Sequence, residues 1–394
     1  MKCKLIRIAT VPNSFGLLKG QLQLASKHHF EAIGIASPGP RLQKVEDQEQ
    51  VRTIGVEMTR TISPVKDLKA LWKLYKIFKK EKPTIVHSHT PKAGTLGMLA
   101  ARIAGVPYRL HTIAGLPLLE ATGAKRSLLN AVERITYASA THLYPNSYGL
   151  QKIILDNKFT TSSKLKVIGN GSSNGIDTSV FNPAKVTDQT KYQLREELGI
   201  DPKDFVFLYV GRVVSDKGIN ELVQAFLGLE ALHTEEGGQA HLVLVGKYEK
   251  DLDPLLPETD QIIRENRFIH SVGVKYNVVD YYAMANALAF PSYREGFPNV
   301  VMEAAAMQLN SIVTDINGCN EIISNGINGW IVPAKNTPKL QDRMQWCLRN
   351  SKDSVQMGLK SREIIQEKYE RSYVQNKLIE EYNKLLDPSL GLNS

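Results

Sequence analysis

The chain has 394 residues, of which 42% are hydrophobic and 23% charged, a composition typical of a soluble globular protein with enough apolar residues for two domain cores. The sequence lacks a run of about 18 apolar residues, which argues against a membrane-spanning helix, and a signal cleavage site, which argues against secretion. Three widely spaced cysteines fit neither a disulfide framework nor a metal cluster, so we expect a cytoplasmic protein.

The net charge of +9 is unevenly distributed along the chain. Residues 1–182 hold 26 lysines and arginines against 11 aspartates and glutamates, whereas residues 183–394 hold 23 against 29. Because the first half is strongly basic, we expect it to face an anionic partner. Nucleic acid, an anionic membrane surface and a phosphorylated acceptor are the candidates.

Strand-like apolar runs alternate with helix-like amphipathic stretches throughout, and this pattern predicts an α/β fold with parallel sheets. In the first half, strands are predicted at 4–10, 31–36, 84–87, 108–112, 142–144 and 166–168. A helix is predicted over 66–82, because apolar residues recur at spacings of three and four and lysines fill the other face. These apolar residues are Leu68, Leu71, Trp72, Tyr75 and Phe78.

A Gly/Ser/Asn-rich stretch at 169–183 reads as a linker, after which the same alternation begins again. Strands are predicted at 205–210, 241–245, 287–291 and 311–314, and a long amphipathic helix at 373–386. The predicted divisions of the chain are therefore residues 1–182, residues 183–370 and a terminal segment at 371–394.

The first candidate site follows the strand at 205–210, where Gly211 and Arg212 precede Lys217. A glycine at a strand end lets the backbone approach a ligand at the carboxyl edge of a parallel sheet. A guanidinium and an ammonium five positions apart suit a pyrophosphate, because arginine binds it with two hydrogen bonds and lysine supplies a point charge. An ordinary basic loop explains these residues equally well.

Two glutamates separated by seven residues follow the strand at 287–291. Glu295 lies in a loop, and Glu303 lies in the helix that Pro298 begins. The free amides at that helix start attract phosphate or sugar oxygens, and carboxylates accept hydrogen bonds from paired hydroxyls. Glu303 stands among apolar neighbours, so we expect it to have a partner rather than to be solvated.

With these motifs and the segment Thr314–Glu321, the sequence resembles the retaining family 4 glycosyltransferases of the bacterial surface-polysaccharide type, over essentially the whole chain. The resemblance implies the GT-B architecture, in which two Rossmann-like β/α/β domains face each other across a cleft and the last helix crosses back to the N-terminal domain. It also implies that the N-terminal domain binds the acceptor and the C-terminal domain a nucleotide diphosphate sugar, with UDP favoured as the nucleotide.

In the roles that the resemblance implies, Arg212 and Lys217 neutralise the diphosphate in place of a metal or other cofactor, Glu303 holds the ribose and Glu295 contacts the donor sugar. The remaining expected donor contacts are Gly16, Gly211, Gly296, Phe297, Asn299 and Val300. Two segments depart from the family pattern. Pro298 stands where the family often has glycine, which removes one amide donor, and residues 308–310 replace Gly-x-Pro.

In the first half, Gly16 lies in a turn after the first strand, where a plain β–α turn is an equal alternative. We expect His111, placed after a strand at 108–110, to act near the donor sugar as the family histidine does; a capping role is the alternative. His87 and His89 share a strand face, yet a third metal ligand is missing from the sequence pattern. His89 and Lys92 are therefore expected at the acceptor.

The lysine-rich helix at 66–82 and the stretch 116–129 combine basic and apolar residues, which suits an anionic membrane surface. The alternative is that the apolar residues are core and the lysines are solvated, and it is favoured more for the helix at 66–82 than for residues 116–119. We therefore expect a peripheral enzyme acting on a polyprenyl diphosphate-linked glycan. Asp251 and Asp253 match a metal-binding D-x-D pattern, but a solvated turn is favoured because a cationic clamp is already present. The sequence lacks an aromatic–basic RNA platform, so nucleic acid is disfavoured. The function predicted is metal-independent transfer of a hexose-type sugar; the alternative is a sugar-nucleotide 2-epimerase of the same fold.

Overall fold

The computed structural model describes residues 3–59, 61, 63–116, 118, 121–229, 237–249, 251 and 253–387. It divides into two compact units, residues 1–174 with 372–394, and residues 175–371. The chain passes from the first unit to the second between Asn174 and Gly175, inside the predicted linker and before the predicted boundary at residue 182. Among the described helices, none combines the length and the apolar character that crossing a membrane requires.

The first unit contains a parallel sheet of six strands in the order β3-β2-β1-β4-β5-β6. The strands are β1 (Cys3–Ala9), β2 (Phe30–Ala36), β3 (Arg52–Gly55), β4 (Ile85–His89), β5 (Tyr108–Ile113) and β6 (His142–Pro145). The helices between them are α1 (Gln21–Lys27), α2 (Pro40–Glu49), α3 (Pro64–Glu81), α4 (Pro91–Ala104), α5 (Gly123–Ser139) and α6 (Tyr148–Asp156). The strand predicted at 166–168 is wrong, because this segment makes only an isolated bridge at Leu165 to Leu143.

The second unit repeats this topology, with the sheet order β12-β11-β10-β7-β8-β9. The strands are β7 (Phe205–Val210), β8 (Ala240–Val245), β9 (Ile269–Gly273), β10 (Ala287–Phe290), β11 (Asn310–Thr314) and β12 (Gly329–Val332). The helices are α7 (Asp188–Glu197), α8 (Ile219–Leu227), α9 (Pro257–Glu265), α10 (Val278–Met284), α11 (Asn299–Ala306), α12 (Cys319–Ile322), α13 (Thr337–Arg349) and α14 (Ser351–Lys368).

The last helix, α15 (Arg371–Leu386), returns to the first unit. Its residues Leu378, Ile379 and Tyr382 join the core that covers one face of the first sheet. The Tyr382 hydroxyl accepts a hydrogen bond from Arg7 Nη1 at 2.6 Å and lies 2.7 Å from His87 Nδ1. The prediction of two Rossmann-like domains with a returning helix is therefore confirmed.

The face predicted for helix α3 is right in part, because Leu71, Tyr75 and Phe78 pack in the core and Leu68 and Trp72 do not. Ala70, Leu74 and Phe78 are buried, whereas Leu68 and Trp72 are 67% and 57% exposed. Half of the residues of this helix are apolar, so spacing could not show which of them face the sheet. The predicted apolar stretch at 116–119 also differs, since Leu116 and Leu118 are buried; Pro117 and Leu119 lie outside the described residues.

In both sheets the order in which strands are added reverses at a topological switch point. This point lies between β1 and β4 in the first unit and between β7 and β10 in the second. Open α/β sheets bind their ligands at the carboxyl ends of the strands that flank such a point. Residues after β1 and β4, and residues after β7 and β10, are therefore the positions at which each unit should bind a ligand.

Candidate functional site

A close backbone contact in the second unit brings the segment after β7 against the segment after β10. Gly218 has a φ of +72°, and a Cβ at this position would lie 2.1 Å from the carbonyl oxygen of Pro291. Any side chain here would separate the two segments, so only glycine fits. The short 3-10 turn Ser215–Lys217 is thereby held beside the loop that carries Glu295.

Lys217 and Glu295 meet at the carboxyl edge of the second sheet. Their Nζ and Oε1 atoms are 2.5 Å apart, and both side chains are mostly buried, with exposures of 13% and 18%. The buried Ser292 hydroxyl donates to the same carboxylate oxygen at 2.9 Å and lies 3.4 Å from Lys217 Nζ. Because an ammonium has three N–H donors, these two contacts leave Lys217 one donor for a ligand.

Arg212 lies in the loop directly after β7 and is more accessible than Lys217, at 41% exposure. Its Nη1 is 3.3 Å from Glu249 Oε2, and its Nη2 is 3.8 Å from Asp216 Oδ2. Arg294 contacts the same Asp216 oxygen at 3.0 Å. These carboxylates fix the direction of the guanidinium, while its exposed part can still bind a phosphate.

The D-x-D segment has a structural contact in this loop. Asp253 Oδ2 accepts a hydrogen bond from the Asp216 amide at 2.5 Å, and the Asp253 carbonyl accepts one from Ser215 at 3.2 Å. The Asp253 side chain therefore orders the turn that carries Lys217. The solvated turn that the sequence favours is wrong for this residue. Leu252, between the two aspartates, lies outside the described residues.

Glu303 has the partner that its apolar surroundings predicted. The Tyr282 hydroxyl on α10 donates to Glu303 Oε2 at 2.8 Å. Burial raises the pKa of Glu303 above its ordinary value, although the hydrogen bond from Tyr282 and the positive charge of Arg371 oppose that rise in pKa. The carboxylate is thus partly buried and fixed in position by Tyr282.

The segment between the two glutamates is shaped by Asn317, whose side-chain amide donates to the carbonyls of Glu295 and Gly296. Phe297 is buried, and its ring packs 5.3 Å from that of Tyr369. The Phe297 side chain is therefore part of the core, which leaves its backbone as the portion that could contact a donor. Asn299 and Val300 form the partly exposed first turn of α11.

In the first unit, the structure places His111 inside β5, which agrees with the strand predicted at 108–112 and shows that a strand end at residue 110 is wrong. The strand continues because residues 108–112 pair with β4. His111 is 4% exposed, and its Nδ1 lies 2.9 Å from Ser88 Oγ. Burial lowers the pKa of His111 to about 4. The ring is covered by α4, since a Cβ at Gly94 would lie 2.4 Å from it.

His89 ends β4 and is 2% exposed, and its Nδ1 has no hydrogen-bond partner among the described residues. Burial lowers the pKa of His89 to about 3, so its ring is neutral at pH 7. Lys92 Nζ pairs with Asp67 Oδ2 at 2.6 Å. Gly16 is exposed in a 3-10 segment after β1, with open space where a Cβ would stand.

His87 does not form a metal-binding pair with His89. Its Nδ1 contacts Tyr382 and Arg7, and its Nε2 lies 2.7 Å from Thr112 Oγ1. Both ring nitrogens therefore already have protein partners. Within the part of the chain that the structure describes, histidine, cysteine, aspartate and glutamate side chains form no group of three that could hold a metal ion.

Sequence reasoning missed Ser292, Tyr282, Asn317 and Asp216 as members of the site. Ser292 precedes Glu295 by three residues, and Asn317 lies within the segment Thr314–Glu321, so the sequence motifs contain both positions. Tyr282 lies on α10, 21 residues before Glu303. Its pairing with Glu303 depends on how α10 and α11 pack, which the sequence pattern does not specify.

Comparisons with known proteins identify the family and the fold of the chain. A model described as Glycosyl transferases group 1 matches residues 190–364, and one described as Glycosyl transferase 4-like domain matches residues 20–171. The capsular polysaccharide biosynthesis glycosyltransferase CapM of Staphylococcus aureus is 31% identical over 389 residues, which are 98% of this chain and 99% of CapM.

A second relative is a UDP-Gal:alpha-D-GlcNAc-diphosphoundecaprenol alpha-1,3-galactosyltransferase of Escherichia coli, 30% identical over 340 residues that are 84% of each chain. The crystal structure of a glycosyltransferase from Rickettsia africae has the same fold, with a TM-score of 0.78 at 20% identity over 100% of both chains. The chain therefore belongs to the group 1 glycosyltransferases and has their GT-B fold.

Proposed function

We propose that this glycosyltransferase moves a hexose-type sugar from a nucleotide diphosphate donor, with UDP favoured, to a polyprenyl diphosphate-linked glycan in surface polysaccharide assembly, with retention of the anomeric configuration and without a metal. The observation that carries the proposal is the contact of Lys217 with Glu295 in the second unit, in loops that also hold Arg212 and lead to Glu303 on α11. The first three follow β7 and β10, the two strands that flank the switch point.

Arg212 and Lys217 would stabilise the diphosphate as it leaves the sugar. Negative charge builds on the leaving oxygen during bond cleavage, and fixed cations that are already oriented stabilise it without reorganisation. The exposed guanidinium can bind two phosphate oxygens, and the buried ammonium has one donor left for a third. In this arrangement the two side chains take the role that a divalent cation has in other sugar transferases.

The two glutamates would bind the neutral parts of the donor. Glu303, held by Tyr282, presents its carboxylate to the ribose hydroxyls, and Glu295, held by Lys217 and Ser292, presents its carboxylate to the sugar. Because Glu295 also pairs with Lys217, a sugar hydroxyl that binds Glu295 and a phosphate that binds Lys217 would be fixed next to each other.

His89, Lys92 and His111 remain the predicted first-unit residues for the acceptor and the donor sugar. His89 and Lys92 stand at the carboxyl edge beside β4, where a ligand is expected. His111 is enclosed beneath α4, so its expected influence on the reaction would pass through Ser88 and α4 rather than through contact with the sugar.

An anionic membrane surface is the proposed location of the acceptor, and α3 is the helix proposed to contact it. Val65, Leu68 and Trp72 are 69%, 67% and 57% exposed. Lysines 66, 69, 73 and 76 lie on the same outward side, and Lys76 Nζ lies 5.4 Å from the centre of the Trp72 ring. An exposed apolar strip bordered by cations suits the interface of an anionic bilayer, where each cation contributes about 1 kcal/mol.

Flotation with phosphatidylglycerol vesicles tests the membrane proposal. Trp72→Glu should reduce the bound fraction severalfold, whereas Val355→Glu, a change at the 56% exposed Val355 on α14, should leave it unchanged. Equal binding of both variants, or indifference to lipid charge, would contradict the assignment of α3.

Donor use is tested by a thermal-shift panel of UDP, GDP and ADP sugars in the presence of a chelator, because a ligand that binds the folded state raises its stability. A UDP-sugar should give the largest shift. Incubation of that sugar nucleotide without acceptor should leave its stereochemistry unchanged, whereas conversion to its 2-epimer would identify an epimerase instead. Nuclear magnetic resonance of the transfer product should show the anomeric configuration of the donor.

A further inference from the structure

The first unit contains a pocket of about 540 Å³ that the donor site does not use. Its size is typical of a small-molecule site. It opens at the carboxyl edge beside the ends of β1 and β4, the switch point of the first sheet. Four of its polar lining residues lie together at that edge, namely Thr10, Asp67, Thr90 and Lys92.

The polar end of the pocket has an incomplete hydrogen-bond network. Asp67 Oδ2 binds Lys92, but the shielded Oδ1 of Asp67 has no partner among the described residues. Thr90 has a φ of +108°, a conformation that a β-branched residue rarely adopts, and its hydroxyl lies 2.7 Å from Thr10 Oγ1. Strain of this kind persists where the surrounding structure enforces it, commonly at a binding site.

The body of the pocket is apolar, and it is lined by Leu96, Leu118, Leu128, Leu129 and Val132. Leu128 is 51% exposed, so apolar surface remains in contact with water when the pocket is empty. Covering such surface is favourable by about 25 cal/mol per Å². Burial also raises the pKa of Glu133, which lines the same pocket.

A ligand that matches this pocket has an anionic head next to an apolar chain. Lys92 Nζ, which keeps further N–H donors besides the one to Asp67, would face the head. The leucines and Val132 would face the chain. Helix α3 supplies Asp67 to the pocket and exposes Leu68 and Trp72 outward, so the pocket lies within one helix of the proposed membrane surface.

We propose that this pocket binds the first isoprenoid units of the polyprenyl diphosphate-linked acceptor, with the diphosphate at the Lys92 end. The inference rests on the proposed function, because the acceptor class comes from it. In this arrangement the enzyme recognises the lipid part of its acceptor as well as the sugar.

The test uses farnesyl diphosphate and inorganic diphosphate as probes in titration calorimetry. The wild-type chain should bind farnesyl diphosphate at least about tenfold more tightly than inorganic diphosphate. Val132→Trp, which fills the pocket, should remove that preference, whereas Ile103→Trp, at the 59% exposed Ile103 on α4, should keep it. Leu128→Asp should also remove the preference. Because Leu128 is 51% exposed, this substitution should disturb folding less than a change at a buried position.

UDP binding and vesicle flotation separate the alternatives. Both should be the same in Val132→Trp as in the wild type, because the donor residues lie in the second unit and the lipid-contacting side chains lie on α3. Equal affinity of the wild type for the two diphosphates would overturn the proposal. Loss of vesicle binding in Val132→Trp would also overturn it, because the pocket would then hold a bilayer acyl chain. Failure of the wild type to transfer sugar, with the farnesyl preference intact, would refute the proposed function and not the pocket.

Discussion

Replacement of Lys217 by glutamine should weaken UDP binding by about 10- to 150-fold. The ammonium is mostly buried and has one donor left after Glu295 and Ser292, so the change removes one charge-assisted hydrogen bond to phosphate, which is worth about 1.5–3 kcal/mol. Turnover should fall by more, about 10²- to 10³-fold, because the charge on the leaving diphosphate is greater in the transition state.

Part of the loss in Lys217→Gln comes from Glu295, whose carboxylate no longer has a cation beside it and repels phosphate. The double variant Lys217→Gln/Glu295→Gln should therefore bind UDP more tightly than Lys217→Gln does. It should remain poor in turnover, because the cation and the proposed sugar contact are both missing. Titration calorimetry with UDP and initial rates with a UDP-sugar measure the two effects.

The matched control is Lys339→Gln, which removes a lysine that is 60% exposed and pairs with Asp342 three residues away. It should leave UDP affinity and turnover unchanged. The reasoning is refuted if Lys217→Gln binds UDP as the wild type does, or if the double variant binds it more weakly than the single one.

Tyr282→Phe removes the hydrogen bond that lowers the pKa of Glu303, so that pKa should rise further and calorimetry should show UDP affinity about 2- to 10-fold weaker, with a larger loss in acid. Burial lowers the pKa of His270, which contacts His241, to about 4 from an ordinary 6.5, so the unfolded chain binds more protons between these values and stability falls with falling pH. Urea unfolding at pH 5 should show a loss of about 1 kcal/mol relative to pH 7.5, half of the full effect because the ring is partly exposed, and His270→Gln should reduce that loss. Tyr382→Phe removes the hydroxyl that hydrogen-bonds buried Arg7 and His87, whose own contact is longer at 3.3 Å, and should cost about 1–3 kcal/mol in the same assay at pH 7.5; an unchanged unfolding midpoint would show that α15 does not depend on this contact.

The two-domain α/β fold could be predicted because strand-like and helix-like runs alternate twice, and this signal is strong in parallel sheets. Short edge strands were missed, among them β3, because it has a single apolar side chain, and β12, because its apolar run is only three residues long. The segment at 166–168 shows the opposite error, since an apolar run can lie beside a strand without pairing along its length.

At the site, the motifs placed Lys217 and Glu295 in separate loops, and the structure shows that they meet because Gly218 allows the loops to touch. Spacing could not indicate this contact, which depends on the packing of β7 beside β10. His111 illustrates a different limit: strand alternation gives the side of the sheet on which a residue lies, but not which helix covers it.

The most direct test of the account is a crystal structure of the chain with UDP, grown in the presence of a chelator. The account predicts that the diphosphate lies within hydrogen-bonding distance of Arg212 and Lys217, with the ribose at Glu303. A nucleotide bound elsewhere, or a diphosphate that binds to these residues only when magnesium is added, would contradict the claim that the two cations receive the leaving group.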